Sequence, residues 1–108
     1  MKLEAARRIA LALPEAAEAP HFDYTSFRVR GKIFATSPPG GEFLHVFVGD
    51  EERERVLELH PDFVEKLWWG KKVVGVRVTM AKAASPIVKA LLESAWRRKA
   101  PKALVASS

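Results

Sequence analysis

Residues 24–37 read Tyr-Thr-Ser-Phe-Arg-Val-Arg-Gly-Lys-Ile-Phe-Ala-Thr-Ser, and this stretch organises the predicted fold. Two runs suited to β-strands flank Gly31, and glycine supplies the positive φ that a tight turn needs. The stretch therefore predicts a β-hairpin with either Arg30-Gly31 or Gly31-Lys32 as its turn. In both registers one face carries Phe27, Val29 and Phe34, and the other carries Arg28, Arg30, Ile33 and Ala35. We expect the aromatic face to lie in the core.

The segments around the hairpin predict the remaining elements. Apolar residues spaced three and four apart predict helices over 2–13 and 85–100, and Asp50 as an N-cap followed by two glutamates predicts a helix over about 50–59. Strands are expected over 42–48 and 73–80. Residues 15–23 fit either a connector or a short edge strand, and 62–67 fit a further helical turn. The order of helix, about three strands, helix, one or two strands and helix predicts an α+β fold with an antiparallel sheet.

The length of 108 residues predicts one domain over 1–101, followed by a tail at 102–108 in which Leu104 and Val105 are able to dock. There is no cysteine, which excludes disulfides and cysteine-based zinc sites. The first eight residues are too charged for a signal peptide. No run approaches the ~18 to 20 apolar residues of a membrane span. We therefore expect a cytoplasmic location and no membrane contact.

The positive charge is concentrated in the last third of the chain. The net charge is +5, but residues 1–70 carry a balance of −3 and residues 71–108 a balance of +8. An asymmetry of this kind is typical of a protein with a surface that faces a polyanion. The alternative is a basic surface that only keeps the protein soluble.

The sequence contains no recognisable catalytic or cofactor motif. Pro38-Pro39-Gly40-Gly41 lacks the Lys-Ser/Thr of a phosphate-binding loop, and no serine lies in a Gly-x-Ser-x-Gly turn. The histidines, at positions 21, 45 and 60, lie on different elements without metal-binding spacing. His21 and Asp23 form only a weak acid–base candidate. We predict no catalytic residue, no cofactor and no metal site, so an enzyme is disfavoured.

Cationic residues beside aromatic ones are the positive functional signal. The candidate nucleic-acid-binding residues are Arg28, Arg30, Lys32, Lys71, Lys72 and Arg77. Two hairpins with basic tips would straddle double-stranded DNA and neutralise phosphates without reading bases. The alternative is a protein-interaction module that uses Phe22, an exposed tryptophan and the mixed hairpin face. Of Trp68 and Trp69, one is expected to be buried and the other partly exposed.

Three segments together resemble the MmcQ/YjbR family. They are His21-Phe22 with Ser26 to Ala35, then Trp69-Gly70-Lys71, and finally Ala95-Trp96 with Ala100-Pro101-Lys102. Lys32 matches the lysine that follows the family's turn glycine. The sequence departs from the family at Asp23, where many members have glycine, and at Leu44-His45-Val46, where many have Asn-x-Lys.

This resemblance implies a compact fold in the order α-β(3)-α-β(2)-α, similar to the secretion-chaperone and CyaY-like folds. It also implies DNA binding through a double-wing arrangement, the property for which members of the family are often named.

Overall fold

A computed structural model describes residues 1–108, with six strands, four α-helices and one short 3-10 helix. In chain order the elements are α1 (Leu3–Leu11), β1 (Ala16–His21), β2 (Tyr24–Val29), β3 (Lys32–Ser37), β4 (Phe43–Val46), α2 (Asp50–Leu59), β5 (Val64–Trp69), β6 (Lys72–Thr79), the 3-10 turn Met80–Lys82, α3 (Ser85–Lys99) and α4 (Lys102–Ser107). None of the helices has the length and apolar content needed to cross a membrane.

All six strands form one antiparallel sheet in the order β1-β2-β3-β4-β6-β5. The predicted α+β class with an antiparallel sheet is confirmed. Four strands rather than three precede α2, because residues 16–21 pair with β2 as an edge strand. Every neighbouring pair joins consecutive strands except β4 and β6, which meet across α2 and β5.

The core lies between one face of the sheet and the helices. Buried side chains from the strands and from α1 to α3 form a single cluster. The predicted aromatic face of the hairpin is confirmed, since Phe27, Val29 and Phe34 are each at most 1% exposed. The stripe of α3 is also buried as expected, at Val88, Leu91, Leu92, Ala95 and Trp96. Leu104 and Val105 on α4 pack against this cluster, half-buried.

The hairpin turn is Arg30-Gly31, both with positive φ (51° and 79°), as a two-residue type I′ loop requires. The predicted position of Ala35 on the second face is wrong. Arg28 pairs with Ile33 but Phe27 pairs with Ala35, so β3 carries one extra residue at Phe34. This β-bulge directs both Phe34 and Ala35 into the core.

Residues 62–67 do not extend α2, because β5 begins at Val64 and pairs with β6. The expectation that one of Trp68 and Trp69 is buried is also wrong: they are 58% and 81% exposed. Both lie on an edge strand just before its turn, and no helix covers them.

A second bulge shifts the start of β6. Leu67 pairs with Gly75 and Trp68 with Val73, which leaves Val74 as the extra residue. Val74 therefore does not share the face of Val76 and Val78, as plain alternation along 73–80 would predict, and it stays half-exposed while those two lie in the core. The face of the sheet opposite α1, α2 and α3, which we call the helix-free face, carries no helix.

Candidate ligand-binding groove and basic end

A concave groove of about 720 Å³ lies on the helix-free face. It runs from the turn between β1 and β2 to the turn between β5 and β6. Its lining comprises His21, Phe22, Asp23, Tyr24, Ile33, Thr36, His45, Phe47, Leu67, Trp68, Trp69 and Val74. Most of these side chains carry rings or branched aliphatic groups, so the groove is mainly apolar.

Polar residues cross the centre of this face in one row of paired positions. Thr36 pairs with His45, His45 with Arg77, and Arg77 with Glu65. Arg77 forms a salt bridge with Glu65, and its guanidinium lies 4.4 Å from the centre of the Phe43 ring. A cation over an aromatic face is attracted by the ring quadrupole, which holds Arg77 beside the groove rather than in it.

His45 is the titratable group at the floor of the groove. Its ring is tilted against Tyr24, with 6.0 Å between centroids. Burial, and then the charge of neighbouring Arg77, lower the pKa of His45 below its usual value of 6.5. At neutral pH this residue is therefore an uncharged hydrogen-bonding group.

We expect the lowered pKa of His45 to make the protein less stable as the pH falls from about 7.5 through 6.5. The unfolded chain binds a proton near 6.5, while folded His45 binds one only at lower pH, so protons favour unfolding across this window. Denaturant unfolding of wild type and His45→Gln at several pH values tests this. The free energy of unfolding of the variant is expected to fall less steeply with decreasing pH, because the variant lacks the imidazole. An NMR titration that gives His45 a pKa at or above 6.5 contradicts the prediction.

Three aromatic side chains of the groove are exposed to an unusual degree. Phe22 is 91% exposed, and Trp68 and Trp69 are more than half exposed. Phe22 occupies the turn between β1 and β2 with φ of 59°, in the left-handed region that bulky residues rarely adopt. Its ring packs edge-on against His21 with 4.9 Å between centroids. The groove thus brings together the aromatic residues that the sequence offered for an interaction surface.

The three predicted arginines are all engaged within the protein. Arg28 donates a hydrogen bond from Nε to the Ser26 hydroxyl at 2.9 Å. Arg30 forms a bidentate pair with Glu15, with distances of 2.6 and 2.8 Å, and this contact lowers the pKa of the Glu15 carboxyl. Arg77 is paired with a carboxylate as described above. Carboxylates partly neutralise the charges of Arg30 and Arg77, whereas Arg28 contacts only uncharged acceptors.

The predicted lysines lie at one end of the sheet and form no salt bridge. β3 and β6 are both antiparallel to β4, so Lys32 at the start of β3 and Lys72 at the start of β6 lie at the same end. Lys71 occupies the adjoining turn, and all three are exposed. We call Lys32, Lys71, Lys72, Arg98 and Lys99 the basic end.

Sequence reasoning missed Arg98 and Lys99. Their position in the last turn of α3 is explained by the helix dipole alone, so nothing in the sequence marks them as site residues. In the structure they line a second pocket of about 400 Å³ together with Ile33 and Trp69, which also line the groove. Arg98 donates a hydrogen bond to the Phe47 carbonyl at 2.6 Å. The groove therefore continues into the basic end.

The three histidines are not gathered into one site. His21 and His45 line the groove, whereas His60 lies at the end of α2, in a small pocket between α2 and α3. No cluster of three or more histidine, aspartate or glutamate side chains is placed to hold a metal ion. The groove offers ring stacking and hydrogen bonding, and the basic end offers cations.

Comparison with known proteins supports the same fold. A family model described as YjbR matches residues 11–98. The structure is similar to the crystal structure of a Deinococcus radiodurans protein with a DUF419 domain, with a TM-score of 0.77 at 18% identity. That similarity covers 98% of this chain and 86% of the other, and at this identity it concerns the fold alone. No curated protein matches the chain.

Proposed function

Since the chain belongs to the YjbR family, we propose that it is a cytoplasmic protein that binds double-stranded DNA weakly and without base readout. The basic end supplies the contacts, and the observation that carries the proposal is the clustering of unpaired lysines at one end of the sheet. Phosphate contacts of this kind give affinity but no sequence information.

The spacing of the two basic turns supports this proposal. The turn between β2 and β3 and the turn between β5 and β6 are three strand spacings apart in the sheet order. At about 4.8 Å per spacing, the turns are about 14 Å apart. The major groove of B-DNA is about 12 Å wide. The two turns are therefore able to reach phosphates on both sides of one groove.

The distribution of charge within the predicted set refines the proposal. Lys32, Lys71 and Lys72 have no carboxylate partner, whereas Arg30 and Arg77 each have one. Exposed ion pairs are weak, so these arginines are able to exchange a carboxylate for a phosphate. The Arg28 guanidinium is directed toward the Ser26 hydroxyl and the Pro20 carbonyl rather than toward the turn between β2 and β3. We assign the principal phosphate contacts to the lysines and secondary ones to the arginines.

Binding to a blunt duplex is expected to weaken steeply with salt. One phosphate contact for each of the four lysines of the basic end, Lys32, Lys71, Lys72 and Lys99, implies a slope of log K against log salt of roughly −3.6, at about 0.9 per contact. Lys71→Ala/Lys72→Ala is expected to reduce the slope to about −2 and to lower the affinity on every duplex sequence alike. Fluorescence anisotropy with a labelled duplex at several salt concentrations measures both quantities.

Lys82→Ala/Lys89→Ala is the matched control, because it removes the same charge from exposed residues outside the basic end. It is expected to leave the slope nearly unchanged. An equal loss in both double variants would mean that net charge alone drives binding. The proposal would be refuted if the affinity of the wild type for duplex did not change with salt concentration, or if the wild type bound no duplex at low salt.

The exposed aromatics of the groove favour a second candidate function, a protein-interaction module. Phe22, Trp68 and Trp69 form an apolar surface of the kind that marks interaction sites. This candidate predicts a protein partner whose affinity falls on Trp69→Ala and is indifferent to Lys71→Ala/Lys72→Ala.

A further inference from the structure

We infer that the groove on the helix-free face holds unpaired nucleobases, so that the nucleic-acid ligand of this protein includes a single-stranded segment. The inference rests on the proposed function for its phosphate contacts and adds a stacking surface to them. In this arrangement a short strand lies in the groove, with bases against the exposed rings and phosphates toward the basic end.

The composition of the groove favours bases as its occupant. Seven of its twelve lining side chains carry aromatic or imidazole rings. The two most exposed rings, those of Phe22 and Trp69, come from the turns at its two ends. Proteins that bind single strands without sequence preference combine such rings with a cationic path, because every base has a π-face that stacks.

The backbone conformation of Phe22 is a separate observation that also favours a binding site at the groove. This residue adopts φ of 59° at a two-residue turn where glycine would fit without strain. Its side chain is 91% exposed, so the core gains nothing from it. Strained, exposed positions of this kind concentrate at binding sites. The turn therefore places a ring at the groove at the cost of backbone strain. Folding alone does not require a phenylalanine at this position.

The groove lining contains no lysine or arginine, and the cations that suit an anionic partner lie in the adjoining pocket. Asp23 is the only carboxylate in the groove lining. Arg98, Lys99 and one carboxylate, Asp50, line the adjoining pocket, which shares Ile33 and Trp69 with the groove. The dipole of α3 accounts for the position of Arg98 and Lys99 within the protein, and the same position places them to contact the phosphates of a strand in the groove.

The shape of the groove selects unpaired over paired bases. Within a duplex the faces of the bases are stacked on each other and are closed to side chains. The open concave space of about 720 Å³ is large enough for single bases and too small to take in a double helix. The groove thus binds the bases of the ligand, and the basic end binds its phosphates.

Tryptophan fluorescence tests the inference directly. Trp68 and Trp69 are exposed and Trp96 is 2% exposed, so a stacked base is expected to quench the first two. The probes are a ten-nucleotide oligothymidylate and an abasic strand of equal length, which carry the same phosphates. We expect quenching by the oligothymidylate only, with an affinity roughly tenfold above that of the abasic strand, as base–aromatic stacking provides.

Two variants locate the effect. Trp69→Ala is expected to lower the affinity for oligothymidylate roughly tenfold and to leave that for the abasic strand and the blunt duplex unchanged. Leu59→Ala is the matched control, because Leu59 is 65% exposed on α2, outside the groove. It is expected to change none of the three affinities.

The outcomes separate this inference from the proposed function. Equal affinity for the oligothymidylate and the abasic strand would overturn the inference and leave duplex binding intact. Absence of binding to any of the three nucleic acids would overturn both. Quenching by an acidic, phenylalanine-containing peptide but not by oligothymidylate would assign the groove to a protein partner and overturn the inference.

Discussion

Trp96→Ala is expected to lower the free energy of unfolding by about 3 to 5 kcal/mol, as the loss of a large buried aromatic side chain does. Trp96 is fully enclosed in the core, and its Nε1 donates a hydrogen bond to the Pro14 carbonyl at 2.9 Å. The substitution leaves a cavity beneath α3 and removes the donor that ties α3 to the segment between α1 and β1. For a domain with about 5 to 15 kcal/mol of stability, this is a large share.

The matched control for this prediction is Trp69→Ala, the same chemical change at an exposed position. It is expected to alter the free energy of unfolding by no more than about 0.5 kcal/mol, because no core contact is lost. Guanidinium unfolding followed by far-UV circular dichroism measures both variants without relying on tryptophan emission. Equal losses in the two variants would contradict the assignment of Trp96 to the core and of Trp69 to the surface.

Gly75→Ala is expected to cost at least about 3 kcal/mol, at the upper end of the range for overpacking. A Cβ at this position would overlap the Val46 carbonyl oxygen and lie 3.0 Å from the Phe47 Cα. Both are backbone atoms of the neighbouring chain segment, so no side-chain rotation relieves the overlap. The variant has to shift β4 against β6, or it fails to fold. Thermal unfolding by circular dichroism measures the loss.

Gly49→Ala provides the comparison. A Cβ there would lie 3.5 Å from Arg98 Nε, an ordinary contact with a flexible side chain. Gly49 is the N-cap of α2, where alanine is less favourable than glycine, so a loss of up to about 1 kcal/mol is expected. If Gly75→Ala were as mild as this, β4 and β6 would not approach as closely as the structure has them.

The hairpin shows how far local pattern determines structure in this protein. Alternation is a property of neighbouring residues, so the burial of Phe27 and Val29 followed from the sequence. The position of Ala35 did not, because a bulge inserts one residue into β3 without any change in composition. The same limitation applies to Val74 at the second bulge.

The exposure of the two adjacent tryptophans depends on information that their own segment of sequence does not contain. Their exposure follows from the position of β5 at the edge of the sheet and of both residues at the end of that strand, next to its turn. The segment before them fits a helical turn as well as a strand, and pairing with β6 decides between the two. Local propensity therefore did not predict the structure of residues 62–67, because pairing with β6 determines it.

The candidate site was only partly predictable for a similar reason. Sequence identifies cations but not the carboxylates that fold against them, such as Glu15 beside Arg30. The lysines of the two turns were found because turns are local features. Lys99 was missed because only the tertiary fold places the end of α3 beside Ile33 and Trp69.

The pairing of β4 with β6 has a consequence for how the chain folds. The other strand pairs are joined by short connections and are able to form rapidly from nearby residues. β4 and β6 join Val46 to Val76 across a whole helix and a strand, so this step carries the largest loop-closure entropy within the sheet. We therefore expect two separately nucleated halves, a four-stranded meander and a two-stranded hairpin, that dock late. The rate-limiting barrier to folding then lies at their junction, beside Gly75.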